Sequence, residues 1–127
     1  MKILKKTRKA FRKFNYHCES QKIGALHFLD IQNILDVDLN QPREVDFFFY
    51  SKKRKNASNL KIILEEKGYN VERIFQLKNS KYSICGTASI ESLCEEAFLF
   101  WVESMNEIAF ISNSKFDGWG MISRLGH

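Results

Sequence analysis

Eight residues, Arg43–Tyr50 (REVDFFFY), constrain the fold of this chain more than any other stretch. Alternation puts Val45, Phe47 and Phe49 on one face of an extended strand and Asp46, Phe48 and Tyr50 on the other. Rings on both faces suit a central strand with at least partial cover on each side. Asn40-Gln41-Pro42 just before it is a clear break, because proline disfavours helix at its own position and at the one before.

The elements that follow are read from periodicity and punctuation. A helix comes next, with Ser51 or Asn56 as N-cap, Ala57, Leu60 and Leu64 on its apolar face and Gly68 as its stop. Tyr69–Leu77 alternates as a strand, Asn79-Ser80 marks a turn, and Tyr82–Thr87 is a short strand holding Cys85. Ser89 is expected to cap a second helix whose broad apolar face runs through Leu93, Cys94, Ala97, Phe98, Trp101 and Met105. After Ser112-Asn113-Ser114, Phe116–Ser123 closes the domain as a last strand. The order βαββαβ predicts an α+β, ferredoxin-like sandwich: a four-stranded antiparallel sheet with two helices on one face, over residues 41–124. The other face is left to solvent, to a partner, or to the first forty residues.

Residues 1–40 are expected to be a basic, helical N-terminal extension. Ile3, Thr7, Phe11 and Phe14 form an apolar stripe opposite lysine and arginine, and a helix over the more ambiguous residues 22–40 is expected to end near Asp36. The net charge of +5 comes from this arm: residues 1–14 hold seven basic side chains and no acid, so the remaining 113 residues carry a net −2. Docking on its own domain, an acidic partner and an anionic membrane surface are three competing roles for the arm. A pI near 9.2 that arises from two patches, this arm and Lys52-Lys53-Arg54-Lys55, is weak support for a nucleic-acid binder. The chain of 127 residues is one domain's length and 44% apolar, which excludes a disordered tail, and no run of eighteen apolar residues offers a membrane span. An odd count of three cysteines without a close pair fits reduced thiols in the cytoplasm.

No sequence pattern announces catalysis. There is no phosphate loop, dinucleotide fingerprint, zinc-protease helix or nucleophile elbow, so neither an enzyme nor a small-molecule substrate is expected. His17, His27 and His127 never fall at paired ligand spacing; no metal and no cofactor are expected, and Cys85 and Cys94 are assigned to buried faces as apolar fillers. Glu65-Glu66 and Glu95-Glu96 read as solvated helix faces. Two features remain. The Lys52–Lys55 cluster either crowds the positive end of a helix, which a phosphate- or acid-binding site tolerates, or lies in a solvated loop. The segment Phe116-Asp117-Gly118-Trp119-Gly120 has glycines on both sides of a tryptophan, the mark of a bulge or close approach; its ring either plugs the sheet end or anchors a partner.

That closing segment resembles the Y-D-G-W-G ending of RraB, a family of regulators of ribonuclease E activity. Gly68-Tyr69-Asn70-Val71 is similar to the family's G-Y-x-V, and Arg43–Tyr50 matches its first strand, so the resemblance covers about residues 40–123. It implies a non-enzymatic, cytoplasmic protein that binds a ribonuclease and lowers its activity through protein–protein contact. Alternatives are an immunity protein that neutralises a nuclease toxin, and an RNA-binding ferredoxin-like module that offers Phe48 and Tyr50 for base stacking, the latter not favoured for want of an RNA-recognition signature. The expected protein-binding surface is a corner made of Lys52, Lys53, Arg54, Lys55, Asp117, Gly118 and Trp119, since antiparallel pairing of the first and last strands sets Tyr50 beside Phe116.

Overall fold

Pro42 separates a long helix from a four-stranded sheet in a computed structural model that describes residues 2–121, with side chains from Lys9 onward. The elements are α1 (Lys2–Ile34), β1 (Arg43–Ser51), α2 (Arg54–Glu66), β2 (Asn70–Gln76), β3 (Tyr82–Ile90), α3 (Glu95–Ile111) and β4 (Lys115–Met121). The sheet is antiparallel with strand order β2-β3-β1-β4, the split βαβ arrangement the element order predicts. As expected, β1 is central. Its Val45, Phe47 and Phe49 are buried against α2 and α3, together with Ile84, Ala88 and Ile90 of β3. Leu60, Leu64, Phe98 and Trp101 complete that layer as anticipated.

Several boundaries differ from the sequence reading, each for a local reason. The arm and residues 22–34 form one continuous helix, which ends where Asp36 takes a left-handed conformation (φ 60°). This helix does not cover the open face of the sheet. His17, Cys18, Gln21, Ala25, Phe28 and Leu29 recur at helical spacing and lay α1 along α3, on the core side. Neither Ser51 nor Asn56 caps α2; Lys53 occupies the N-cap without a side-chain bond, because Ser51 ends β1 and pairs its hydroxyl with Ser114. Ser89 does not cap α3. The alternation Ile84, Gly86, Ala88, Ile90 carries β3 on to Ile90, and the helix begins after Cys94. Ile3, Thr7 and the Ile122–Ser123 end of the expected last strand lie outside the described residues or side chains.

The cysteines are corrected as well. Cys94 is not on the buried face of α3 but exposed at its N-cap, and Cys85 is half-buried on the open face of the sheet. Ala97 is half-buried rather than buried.

Candidate functional site

The last strand shows how the glycine–tryptophan segment works. In β4, Phe116 pairs with Phe49 and Trp119 with Phe47, with a register shift opposite Phe48/Phe49. Phe116 and Trp119 are three positions apart, so a regular strand would point them to opposite faces. The bulge at Asp117–Gly118 corrects the phase, and Gly118 adopts φ 129°, which a residue with Cβ resists. Both rings therefore enter the core. Trp119 is half-buried, its centroid 5.4 Å from Phe98, 6.0 Å from Phe28 and 6.3 Å from Phe116.

The same strand binds α1. The Phe116 carbonyl accepts hydrogen bonds from His17 Nε2 (2.6 Å) and Gln21 Nε2 (2.8 Å). Asn106 of α3, buried, donates to Gln21 Oε1 and to the Val102 carbonyl. A carbonyl can only accept, so His17 Nε2 is the donor in this contact. Lys22 of α1 bridges to Glu103 at 2.7 Å.

The Lys52–Lys55 cluster is fully at the surface. Lys52 and Lys53 precede α2, while Arg54 and Lys55 lie in its first turn, where no acidic side chain offsets the helix dipole. Of the two sequence readings, the structure therefore places the cations at the helix's positive end. Pairing of Tyr50 with Lys115 puts the exit of β1 beside the start of β4, and Ser51 bonds Ser114 there. Asp117, exposed on the bulge, is on the same edge. Trp119 pairs with Phe47, five residues back from Lys52, with its ring on the core face. Strand register thus sets the β1 exit that leads into the four cations beside Lys115, with Asp117 two residues further along β4, while Gly118 shapes the bulge and Trp119 is directed inward.

A family model described as Regulator of ribonuclease activity B matches residues 35–121. The chain belongs to the RraB family. No curated protein matches it. The RraB match starts at Leu35, just beyond α1, so the helix that clamps β4 lies outside the matched segment.

Two groups escaped the sequence reading. Lys81 and Lys115 place their ammonium groups 4.8 and 5.7 Å from the centre of the Tyr50 ring, extending the positive corner onto the sheet. Lys81 sits in the β2–β3 turn, and only strand register brings it there. Between α1, the end of α3 and the start of β4 runs a groove of about 960 Å³, with Phe14, Phe110 and Phe116 in its wall, Arg12, Lys13 and Lys115 at its polar positions, and no acidic side chain. Its aromatic wall was not legible in the sequence, because Phe14 and Phe110 meet only when α1 docks along α3. Among the described residues no cluster of His, Cys, Asp and Glu is arranged to hold a metal, and no helix is long and apolar enough to cross a membrane.

Proposed function

We propose that this protein binds a ribonuclease in the cytosol and lowers its activity by protein–protein contact, without chemistry of its own. The observation that carries this reading is the RraB family match over residues 35–121. The surface assigned to the contact is the corner at Lys52, Lys53, Arg54, Lys55 and Asp117, with Lys115 beside it. Exposed like charges on one edge steer an acidic partner and accelerate its approach. Gly118 and Trp119 serve that edge from within by fixing the bulge that displays Asp117.

The test has two stages. Tagged full-length chain is used to capture a ribonuclease from native extract, and the captured enzyme is then assayed with purified chain added. The cleavage rate falls as the chain approaches stoichiometry. Replacing Lys52, Lys53 and Arg54 by glutamate slows association and weakens its salt dependence, without loss of fold. A captured ribonuclease that cleaves at an undiminished rate with excess chain present would overturn the reading.

A further inference from the structure

The face of the sheet opposite the helices is uncovered among the described elements, and its side chains form an ordered array. One row across the strands reads Phe75, Ser83, Tyr50, Lys115; the next reads Arg73, Cys85, Phe48, Gly118. Phe48 and Phe75 are each 40% exposed, although both are large apolar side chains in a sheet. Between the rings the floor is low, made of serine, cysteine and glycine. Gly120 adds to this, since a Cβ there would come within 3.9 Å of the Phe48 ring. Phe48 and Tyr50 lie two residues apart on one strand, hence about 7 Å from each other on the same face. Lys81 and Lys115 flank Tyr50, and Arg73 closes the second row. On β1 the acidic side chains of this face, Asp46 and Glu44, lie toward the other end, where Asp46 pairs with Gly120 and Thr87 and Glu44 with Ser89, and on β2 Glu72 sits at the bulge next to Arg73.

We infer that this face binds a short single-stranded nucleic acid, with bases stacked on Tyr50, Phe48 and Phe75 and phosphates held by Lys81, Lys115 and Arg73. Planar rings presented over a floor of small residues suit unpaired bases, whose faces are flat and sequence-independent. Cations at the row ends suit the backbone that joins those bases. Asp46, Glu44 and Glu72 set the limit of the site: the strand crosses the Tyr50 end of the sheet and avoids those carboxylates. A peptide of aspartate and glutamate would satisfy the lysines but offers no aromatic faces to stack on three rings. This inference goes beyond the protein-contact function and does not depend on it.

The experiment titrates full-length chain into fluorescein-labelled oligouridine, oligoadenine and their DNA counterparts, read by fluorescence anisotropy at several salt concentrations. Single strands bind, and a labelled duplex of the same length binds more weakly. Tyr50→Ala and Phe48→Ala each lower affinity about tenfold. Lys81→Gln lowers the dependence of log affinity on log salt by roughly 0.7. Lys81 is a turn residue, so this variant reports even where an aromatic variant fails to fold. Preference for RNA over DNA strands identifies which source the site takes. Binding that Tyr50→Ala, Phe48→Ala and Lys81→Gln all leave unchanged belongs to the basic helix α1 and overturns the inference. So does equal binding of the duplex, or displacement of the oligonucleotide by a glutamate-rich peptide. A chain that inhibits its ribonuclease yet leaves the single strands free overturns this inference alone.

Discussion

Cys94 shows how one residue's chemistry depends on where a helix begins. Assigned to the apolar face of a helix that starts at Ser89, it would be an inert filler; as the exposed N-cap of α3 it is an available thiol. The Ser92 hydroxyl, and next the Ala97 amide, hold it below the usual thiol range. Burial pushes Cys18 and Cys85 the other way. A thiol-specific reagent should therefore label Cys94 first, Cys85 more slowly and Cys18 only on unfolding, followed by mass spectrometry of the labelled peptides. The raised groups should also weaken the fold at alkaline pH. A thiol held above its unfolded value of 9.0 contributes stability that is complete below that value and is lost as pH rises through the folded one. Tyr69, raised by burial, and Lys22, raised chiefly by its hydrogen bond to Glu103, act in the same direction at higher pH. The melting temperature should accordingly fall above about pH 9, and the double variant Cys18→Ala, Cys85→Ser should move the onset upward. Gly86 is a different kind of single-residue constraint. A Cβ there would collide with the Asn70 carbonyl and sit 2.6 Å from the tip of the Phe47 ring, so the glycine is where β2, β3 and the core ring crowd together. Gly86→Ala should cost about 1–3 kcal/mol, measured by urea denaturation.

Among the elements, those with strong periodicity were legible and those defined by tertiary partners were not. The strand Arg43–Tyr50 and the helix over Leu60 and Leu64 stand where alternation and helical spacing put them. The start of α3 was missed because Ser89 has the chemistry of a cap, while what decides the matter is that Ala88 and Ile90 pair with β1. The path of α1 was missed because Gln21, Asn106 and the Phe116 carbonyl meet only in three dimensions. The candidate site divides in the same way. Its cation run is plain in the sequence, but the inward turn of Trp119 follows from a one-residue bulge. Since its ring packs on Phe28, Phe98 and Phe116, Trp119→Ala should lower stability by roughly 2–4 kcal/mol, somewhat below the cost at a fully buried site. Its association rate with a partner should be nearly unaffected once unfolded chain is accounted for. A stable variant with unchanged melting temperature and faster dissociation would instead make the ring an anchor.

At the scale of the whole molecule, charge is distributed against stability. Lys52 and Lys53 precede α2, and Arg54 and Lys55 occupy its first turn, next to Lys115 and within a domain that, beyond the basic residues 1–14, carries a net −2. Exposed cations at a helix N-terminus are unfavourable by about 0.3–1 kcal/mol each, and carboxylates there are favourable by as much. A cluster kept only for folding would carry the opposite sign. Replacing Lys52, Lys53 and Arg54 by glutamate therefore separates the two roles: the melting temperature should rise by a few degrees, and association with the proposed ribonuclease partner should slow. The gain should shrink as salt is added, because the pairing of side chain and dipole is exposed. The loss of association rate should shrink too, and toward the same high-salt limit as the unaltered chain, since steering is the part of binding that salt removes. Calorimetric melting and stopped-flow association, each across a salt series, check both. A variant that is less stable at low salt, or that associates at the unaltered rate there, would return the cluster to the status of a solvated edge.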